Sequence, residues 1–290
     1  MDYILEVDQL SRKFDNFQLK DISFKLKQGY IMGFIGANGS GKTTTIKLIM
    51  NLIRKDSGTI KIFGKDNIQF EKEIKNRIGF VYDDLYFYEN LSIEETKNTI
   101  APFYSKWDDE LFYNYLSEFG LNRYMIIKEL SKGMKMKFSL SLALSHHADF
   151  IIMDEPTAGL DPIIRRELLD ILRDIIQDER KAIFFSTHIT TDLEKIADYI
   201  TFINRGRMVF SKSIEEVFDT YKLIKGDTSL IGQIYKEEFI GLREHNLGFE
   251  GLVYKDIANN FDNKNILFEK PSLEDIMYYH IKGNKNAKTT

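Results

Sequence analysis

Between Gly36 and Thr43 the chain reads Gly-Ala-Asn-Gly-Ser-Gly-Lys-Thr, the spacing of a loop that holds a triphosphate. Its glycines let the backbone wrap an anion with N–H groups turned inward, and the helix expected to follow adds roughly half a positive charge at its N-terminus. Lys42 would reach the β- and γ-phosphates and Thr43 the accompanying magnesium ion. A chance glycine-rich turn is the bland alternative, and eight matched positions between an apolar strand and a helix weigh against it.

Hydrolysing a triphosphate needs carboxylates at a second point, which "DFIIMDEP" at 149–156 supplies. Asp154 ends an apolar strand, where it can hold the magnesium through water, and Glu155 beside it is placed to orient or deprotonate the attacking water. An isolated Asp-Glu pair more often merely ends a strand, but a phosphate loop in the same chain reverses those odds. His188 follows the next apolar run in "FFSTHIT". A lone histidine is more often a surface or core residue. At the C-terminal edge of a parallel strand, where ligands bind in open α/β sheets, it becomes a contact for the γ-phosphate. A second anion-facing turn lies in "ELSKGMKMKF" at 129–138, with Ser131 as N-cap and Gly133 as a side-chain-free backbone donor. Any Ser-x-Gly can cap a helix, so this turn means little without its context.

The elements that must hold these groups alternate along the chain. Residues 3–14 and 17–30 carry period-two patterns and predict an antiparallel pair. "YIMGFIG" reads as a buried strand, and Ile46, Ile49, Leu52 and Ile53 predict one face of the helix after the loop. Residues 92–145 read as helical: Ser92 with Glu95 forms a capping box, and Gly120 stops an amphipathic segment. Two apolar strands, 149–153 and 181–186, flank a helix opened by Asp161 and Pro162, and "YITFINRGRMVF" turns at Asn204 to Gly206. Such alternation means a mainly parallel sheet covered by helices. After it, residues 219–283 read as a small α/β unit ending in a helix capped by Ser272 and stopped by Gly283.

Composition narrows the setting. With 40 basic and 44 acidic residues and a net charge of −4, no bulk field draws the chain onto nucleic acid or anionic lipid. The absence of cysteine excludes disulfides, thiolate zinc sites and thiol catalysis. No apolar run is long enough to cross a bilayer, and the acidic N-terminus lacks a signal peptide's basic region, so a soluble, cytoplasmic chain is expected.

With these residues assembled, the chain resembles the ATP-binding cassette (ABC) family of ATPases from residue 3 to about 215, with six motifs in family order. Phe14 matches the aromatic that stacks on adenine. Leu130-Ser131-Lys132-Gly133-Met134 stands at the LSGGQ signature, Ala158-Gly159-Leu160-Asp161 looks like the D-loop, and His188 like the switch histidine. The resemblance implies an α/β P-loop NTPase cassette with a mainly parallel sheet core, an antiparallel β subdomain and an inserted helical subdomain. The cassette would span 1–218 with the helical insert at about 84–145, followed by a small C-terminal α/β domain at 219–284 and a loose tail at 285–290.

The family's ligands would be ATP and Mg²⁺. Lys42, Glu155 and His188 would be catalytic; Phe14, Gly36, Ala37, Asn38, Gly39, Ser40, Gly41, Lys42, Thr43, Thr44, Ser131, Gly133 and Asp161 would touch nucleotide. Thr43, Asp83 and Asp154 would serve the metal. Two partners are implied: a separate transmembrane permease subunit, which would hold the chain at the inner face of the membrane, and a second cassette, of the same chain or a paralogue. Paired head to tail, each cassette's signature closes over the ATP on the other's phosphate loop.

Two departures stand out. Lys132 and Met134 replace glycine and glutamine in the signature, and Asp83 stands where a glutamine normally contacts the magnesium and the membrane subunit. An aspartate adds a charge and loses a donor there, which bears on coupling more than on ATP binding. "PSLEDIMYYHIKG" looks most like the peptide-exporting and bacitracin-resistance-type ATPases of Gram-positive bacteria, those exporting phenol-soluble modulins among them. A soluble cofactor-assembly ATPase is the alternative. Aromatics in the helical insert, with the single Trp at 107, either line the permease groove or pack the subdomain core.

Overall fold

The computed structural model describes residues 3–82, 87–227, 230, 236–246, 248–258, 261 and 266–286. The period-two pattern folds as read: β1 (Tyr3–Lys13) and β2 (Gln18–Lys27) pair antiparallel, with Leu5 opposite Leu26, Val7 opposite Phe24 and Leu10 opposite Ile22. All six of these side chains are buried, as a half-covered sheet requires. Strands β4 (Ser57–Ile62) and β5 (Lys65–Asp66) complete this sheet in the order β2-β1-β4-β5.

The second sheet carries the chemistry. Its order is β10-β9-β3-β8-β7-β6, from β3 (Ile31–Ile35), β6 (Ile78–Val81), β7 (Phe150–Asp154), β8 (Ala182–Thr187), β9 (Tyr199–Asn204) and β10 (Arg207–Ser213). The pairs β9-β3, β3-β8, β8-β7 and β7-β6 are parallel. Strands β3, β7 and β8 are buried along their whole length, which is why they read as continuous apolar runs. Because they are parallel, their C-terminal ends meet on one edge, and the phosphate loop, Asp154 and His188 follow β3, β7 and β8 there.

Helix α1 (Lys42–Ile49) follows the phosphate loop and α2 (Glu71–Lys75) precedes β6. The expected apolar face of α1 runs too far: the helix ends at Ile49, Asn51 has a positive φ of 52°, and Leu52 is exposed. Between β6 and β7 lie α3 (Ile93–Ile100), α4 (Asp109–Glu118) and α5 (Lys132–Leu144). The Ser92–Glu95 capping box is present, Asp108 caps α4, and Gly120 follows α4 at φ 68°. Tyr104 stacks on the buried His146 and Trp107 packs on Phe112, whereas Tyr88 and Phe103 are 76% and 77% exposed. The insert's aromatics therefore divide between core and surface. Helix α6 (Pro162–Ile176) joins β7 to β8, and α7 (Thr190–Ile196) joins β8 to β9.

The chain divides into two compact units, Met1–Asp192 with Ile196–Ser211, and Leu193–Lys195 with Lys212–Thr290. The second contains α8 (Ile214–Thr220), β11 (Tyr221–Gly226), β12 (Gly241–His245), β13 (Gly248–Tyr254), α9 (Lys255–Ala258), β14 (Ile266–Glu269) and α10 (Leu273–Asn286). Its antiparallel sheet runs β12-β13-β11-β14. Ser272 does cap α10, exchanging hydrogen bonds with Asp275. Gly283 does not stop it: the helix runs on to Asn286, and a Cβ at 283 would stand 1.8 Å from the Ile240 carbonyl oxygen. That glycine serves close packing.

Candidate active site

The phosphate loop is shaped by its own glycines. A Cβ at Gly36 would meet the Ile203 carbonyl oxygen and Ser40 Oγ, both at 2.4 Å. Gly39 and Gly41 have φ of 75° and 114°, a region that side chains oppose. Helix α1 has Gly41 at its N-cap and no side-chain cap, whereas α3, α4, α5 and α6 are capped by Ser92, Asp108, Ser131 and Asp161. Its first-turn N–H groups are left for an anion.

The Lys42 ammonium, 6% exposed, donates to the Gly36 carbonyl oxygen at 2.8 Å and stands 3.0 Å from Glu155 Oε1. An ammonium has three donors, so one remains for a ligand. Glu155 Oε2 accepts from the His188 backbone N–H at 3.2 Å and lies 2.7 Å from His188 Nδ1. A hydrogen bond there places the proton on Nδ1 and leaves Nε2 to face outward. Glu155 has a φ of 49°, a strained conformation of the kind that concentrates at functional sites.

Sequence reasoning missed the residue that fixes this corner. Ser186, fully buried on β8, donates from Oγ to Asp154 Oδ1 at 2.5 Å. The Glu155 N–H is shared between Ser186 Oγ at 3.1 Å and the Ser186 carbonyl oxygen at 3.0 Å. One serine thus ties both carboxylate residues to the neighbouring strand. Its signal was a hydroxyl in an otherwise apolar strand run. Tyr82 lies near Asp154: burial first, and that carboxylate second, push its phenol pKa up.

A cavity of about 740 Å³ opens over these groups, lined by Asn38, Gly39, Gly41, Lys42, Thr43, Thr44, Glu155, Ala158 and His188, with Asn16 and Phe17 also contributing. Its volume suits a nucleotide. Gly36 and Ala37 belong to the loop's frame: Gly36 accepts from Lys42, and Ala37 accepts from the Ser40 N–H at 3.0 Å. Phe14 is not among the lining residues. The ring that is there is Phe17, whose centroid lies 6.3 Å from that of Phe14. Thr43 lines the cavity and Asp154, buried behind Glu155 on β7, does not; both offer oxygen donors only, a set that suits magnesium. Asp83 lies outside the described residues.

Ser131, Gly133 and Asp161 do not line this cavity. Ser131 caps α5, accepting from the Met134 N–H at 3.2 Å, and Asp161 caps α6, accepting from Ile163 and Ile164. Gly133 packs against α6, since a Cβ there would come within 2.8 Å of Ile164 Cγ2. Lys132 crosses the same junction: its Nζ would lie 3.2 Å from a Cβ at Gly159.

The family model described as ABC transporter matches residues 19–158. The bacitracin transport ATP-binding protein BcrA of Bacillus licheniformis is 28% identical, over 98% of this chain and 99% of its own length. The ABC transporter ATP-binding protein YtrB of Bacillus subtilis is 31% identical, over 75% of each chain. A solved structure of the ATP-binding subunit of an ABC transporter aligns with a TM-score of 0.66 and 27% identity, covering 74% of this chain and 91% of the other. These relatives are transporter subunits, which leaves the cofactor-assembly alternative without support.

Proposed function

The chain belongs to the ABC transporter family, and we propose that its cavity binds magnesium-ATP between Lys42 and Glu155 and hydrolyses it. It is an ATPase, the nucleotide-binding subunit of a membrane ABC transporter. The observation that carries the chemical reading is the convergence of Lys42, Glu155 and His188 on one cavity.

Lys42 and the first-turn N–H groups of α1 bind the β- and γ-phosphates. Thr43 and Asp154 would hold the magnesium, which when bound neutralises phosphate charge. Water attacks the γ-phosphorus on the side facing Glu155, whose carboxylate takes the water's proton, while ADP leaves with the electron pair of the broken P–O bond. General-base catalysis of this kind contributes typically 10² to 10⁴ in rate. His188, donating from Nδ1, holds the base and turns Nε2 toward the γ-phosphate.

Ser131, Gly133 and Asp161 belong to a second nucleotide contact, made across a dimer to ATP on the other cassette. Their exclusion from the chain's own cavity supports this reading.

The coupled reaction is export of peptides or other amphipathic compounds through a separate permease. Similarity to a bacitracin transport subunit along nearly the whole chain supports it. Among the described residues no helix is long and apolar enough to cross a membrane, so the chain would sit on the membrane's inner face through that permease. A cavity of about 580 Å³ between the α2 region and residues 105–106 offers a docking groove, with Phe70, Lys72, Glu73, Arg77 and Lys106 on its walls and Arg77 already paired to Asp149 at 2.7 Å, which leaves a small excess of positive charge from Lys72 and Lys106. Its cations favour an acidic, partly apolar permease segment. Purification of the tagged chain from membranes tests this. An integral membrane protein should co-purify and stimulate ATP hydrolysis, and Lys72→Glu with Lys106→Glu should reduce the stimulation while leaving the basal rate. A chain that carries no membrane protein and hydrolyses ATP at one fixed rate would contradict it.

A further inference from the structure

His188 has little backbone of its own to hold it. Only His188 and Ile189 separate β8 from α7, so the direction in which α7 leaves the sheet sets where the imidazole stands. Glu155 holds the ring at Nδ1 and the backbone at N–H, and nothing in that contact fixes α7 itself. What anchors this helix therefore bears on the reaction.

Helix α7 has two anchors that pull on neighbouring residues. The first is Arg165 on α6, which donates from Nε to Asp192 at 2.6 Å and from Nη2 to Thr191 Oγ1 at 3.0 Å. The second is Glu194, whose Oε1 accepts from the Leu273 N–H at 2.7 Å. Leu273 opens α10. The Ser272 hydroxyl there serves the Asp275 N–H, and the Ser272 carbonyl oxygen takes the Ile276 N–H, so the Leu273 N–H is a first-turn donor that the cap does not use. Glu194 meets it with a carboxylate, the charge that a helix N-terminus favours. Leu193 and Leu273 are both fully buried next to these two groups in the chain.

The compact units divide at the same point. Asp192 belongs to the first unit and Leu193–Lys195 to the second, so one helix has its start in the catalytic unit and its middle in the C-terminal one. No proline or glycine interrupts α7, and a shift imposed at Glu194 is passed along it to His188. We propose that Glu194 is a positioning residue for His188, through which the second unit sets the rate of hydrolysis, an inference that rests on reading His188 as part of the hydrolytic site. With Glu194 seated on α10, α7 is held at both anchors and His188 stays against Glu155. Without that seat, Arg165 alone holds the helix, and the imidazole loses its fixed aim.

The test is steady-state ATP hydrolysis by the full chain, by Glu194→Ala, by Glu194→Gln and by Lys42→Ala, with nuclear magnetic resonance of the labelled histidine rings. Glu194 otherwise faces solvent, and Arg165 still ties α7 to α6, so the variants should fold. In Glu194→Ala, kcat should fall by about fivefold to tenfold, toward the low end of the coupling typical of linked sites. KM for ATP should stay within about twofold, because the groups that bind the phosphates are untouched. The His188 ring resonances, identified by their loss in His188→Gln, should shift. Glu194→Gln keeps an acceptor oxygen for the Leu273 N–H and should recover most of the rate. A carboxylate that only caps α10 would behave differently: its loss would lower the melting temperature and move the His280 resonances on that helix, with kcat within about twofold of the parent and His188 unshifted. That result would overturn the inference. Lys42→Ala separates the two levels. If it abolishes hydrolysis while Glu194→Ala keeps the parent rate, only the positioning role fails; if it hydrolyses ATP like the parent, the reading of the hydrolytic site fails too.

Discussion

Ser186→Ala removes one oxygen from the centre of the catalytic corner. The lost bond is a hydroxyl donating at 2.5 Å to Asp154, a carboxylate only 5% exposed. Hydrogen bonds to charged groups contribute about 1.5–3 kcal/mol. At about 2–4 °C per kcal/mol for a unit of this size, about 2 kcal/mol lowers the melting temperature by about 4–8 °C. The Glu155 N–H keeps its bond to the Ser186 carbonyl oxygen at 3.0 Å, so the strands should stay paired. Glu155 itself, at φ 49°, loses part of what holds it in that conformation. Small misplacement of a reacting group can cost about 10²-fold, so kcat should fall by one to two orders of magnitude, roughly. Affinity for ATP without magnesium should change little, because Lys42 and the N-terminus of α1 do not touch Ser186, whereas any gain from magnesium should shrink with the loosened Asp154. Calorimetric melting, nucleotide titration and steady-state hydrolysis on the same preparation give all three numbers. A variant that melts normally and hydrolyses ATP within about twofold of the parent would refute the claim that this serine positions the carboxylates.

Two further perturbations probe buried charge. Asp192 is fully buried; one carboxylate oxygen pairs with Arg165 Nε at 2.6 Å and the other has no partner among the described residues. Arg165→Met should therefore destabilise the chain by about 3–5 kcal/mol in denaturant unfolding, and adding Asp192→Leu should recover most of the loss; a double variant no more stable than the single one would contradict this. In the second unit, burial lowers the pKa of His280 from 6.5 to about 4, and the ring lies 3.3 Å from the Tyr221 hydroxyl. The unfolded chain then binds more protons between those values. Stability from this residue is complete above pH 6.5 and is lost as pH falls toward 4, by up to about 3 kcal/mol. His280→Phe should flatten the pH dependence of unfolding across that interval, and an identical slope in both proteins would disprove the assignment.

The sequence displayed the phosphate loop and much of the scaffold because both leave local marks. A phosphate loop needs its glycines in order, and the buried parallel strands need unbroken apolar runs, so the loop, Asp154, Glu155 and His188 could be located by eye. Gly120 and the capping pair at Ser92 and Glu95 were legible for the same reason. What was hidden is non-local. Ser186 matters only because β8 lies beside β7, and Gly206 only because its turn meets both the phosphate loop and Gln18. Phe17 was overlooked beside Phe14 because the direction a ring takes from a turn depends on the turn's closure. Leu52 continues the apolar spacing of α1 after Asn51 has already left the helix. Gly283 resembles a stop signal, yet its missing side chain accommodates the Ile240 backbone.

The central claim is that ATP on one cassette is gripped by the Ser131 turn of another. Gly133→Asp cannot test it, because any side chain there meets Ile164 within the same chain. Ser131→Asp can: aspartate is as good an N-cap as serine, so α5 keeps its cap while a carboxylate faces the partner's γ-phosphate. The measurement is light scattering of Glu155→Gln with magnesium-ATP, with and without Ser131→Asp, alongside ATP binding to each. The single variant should dimerise with ATP and not with ADP, and the double variant should bind ATP equally well and remain monomeric. A double variant that still dimerises would contradict the account, because Ser131 would then be a helix cap and nothing more.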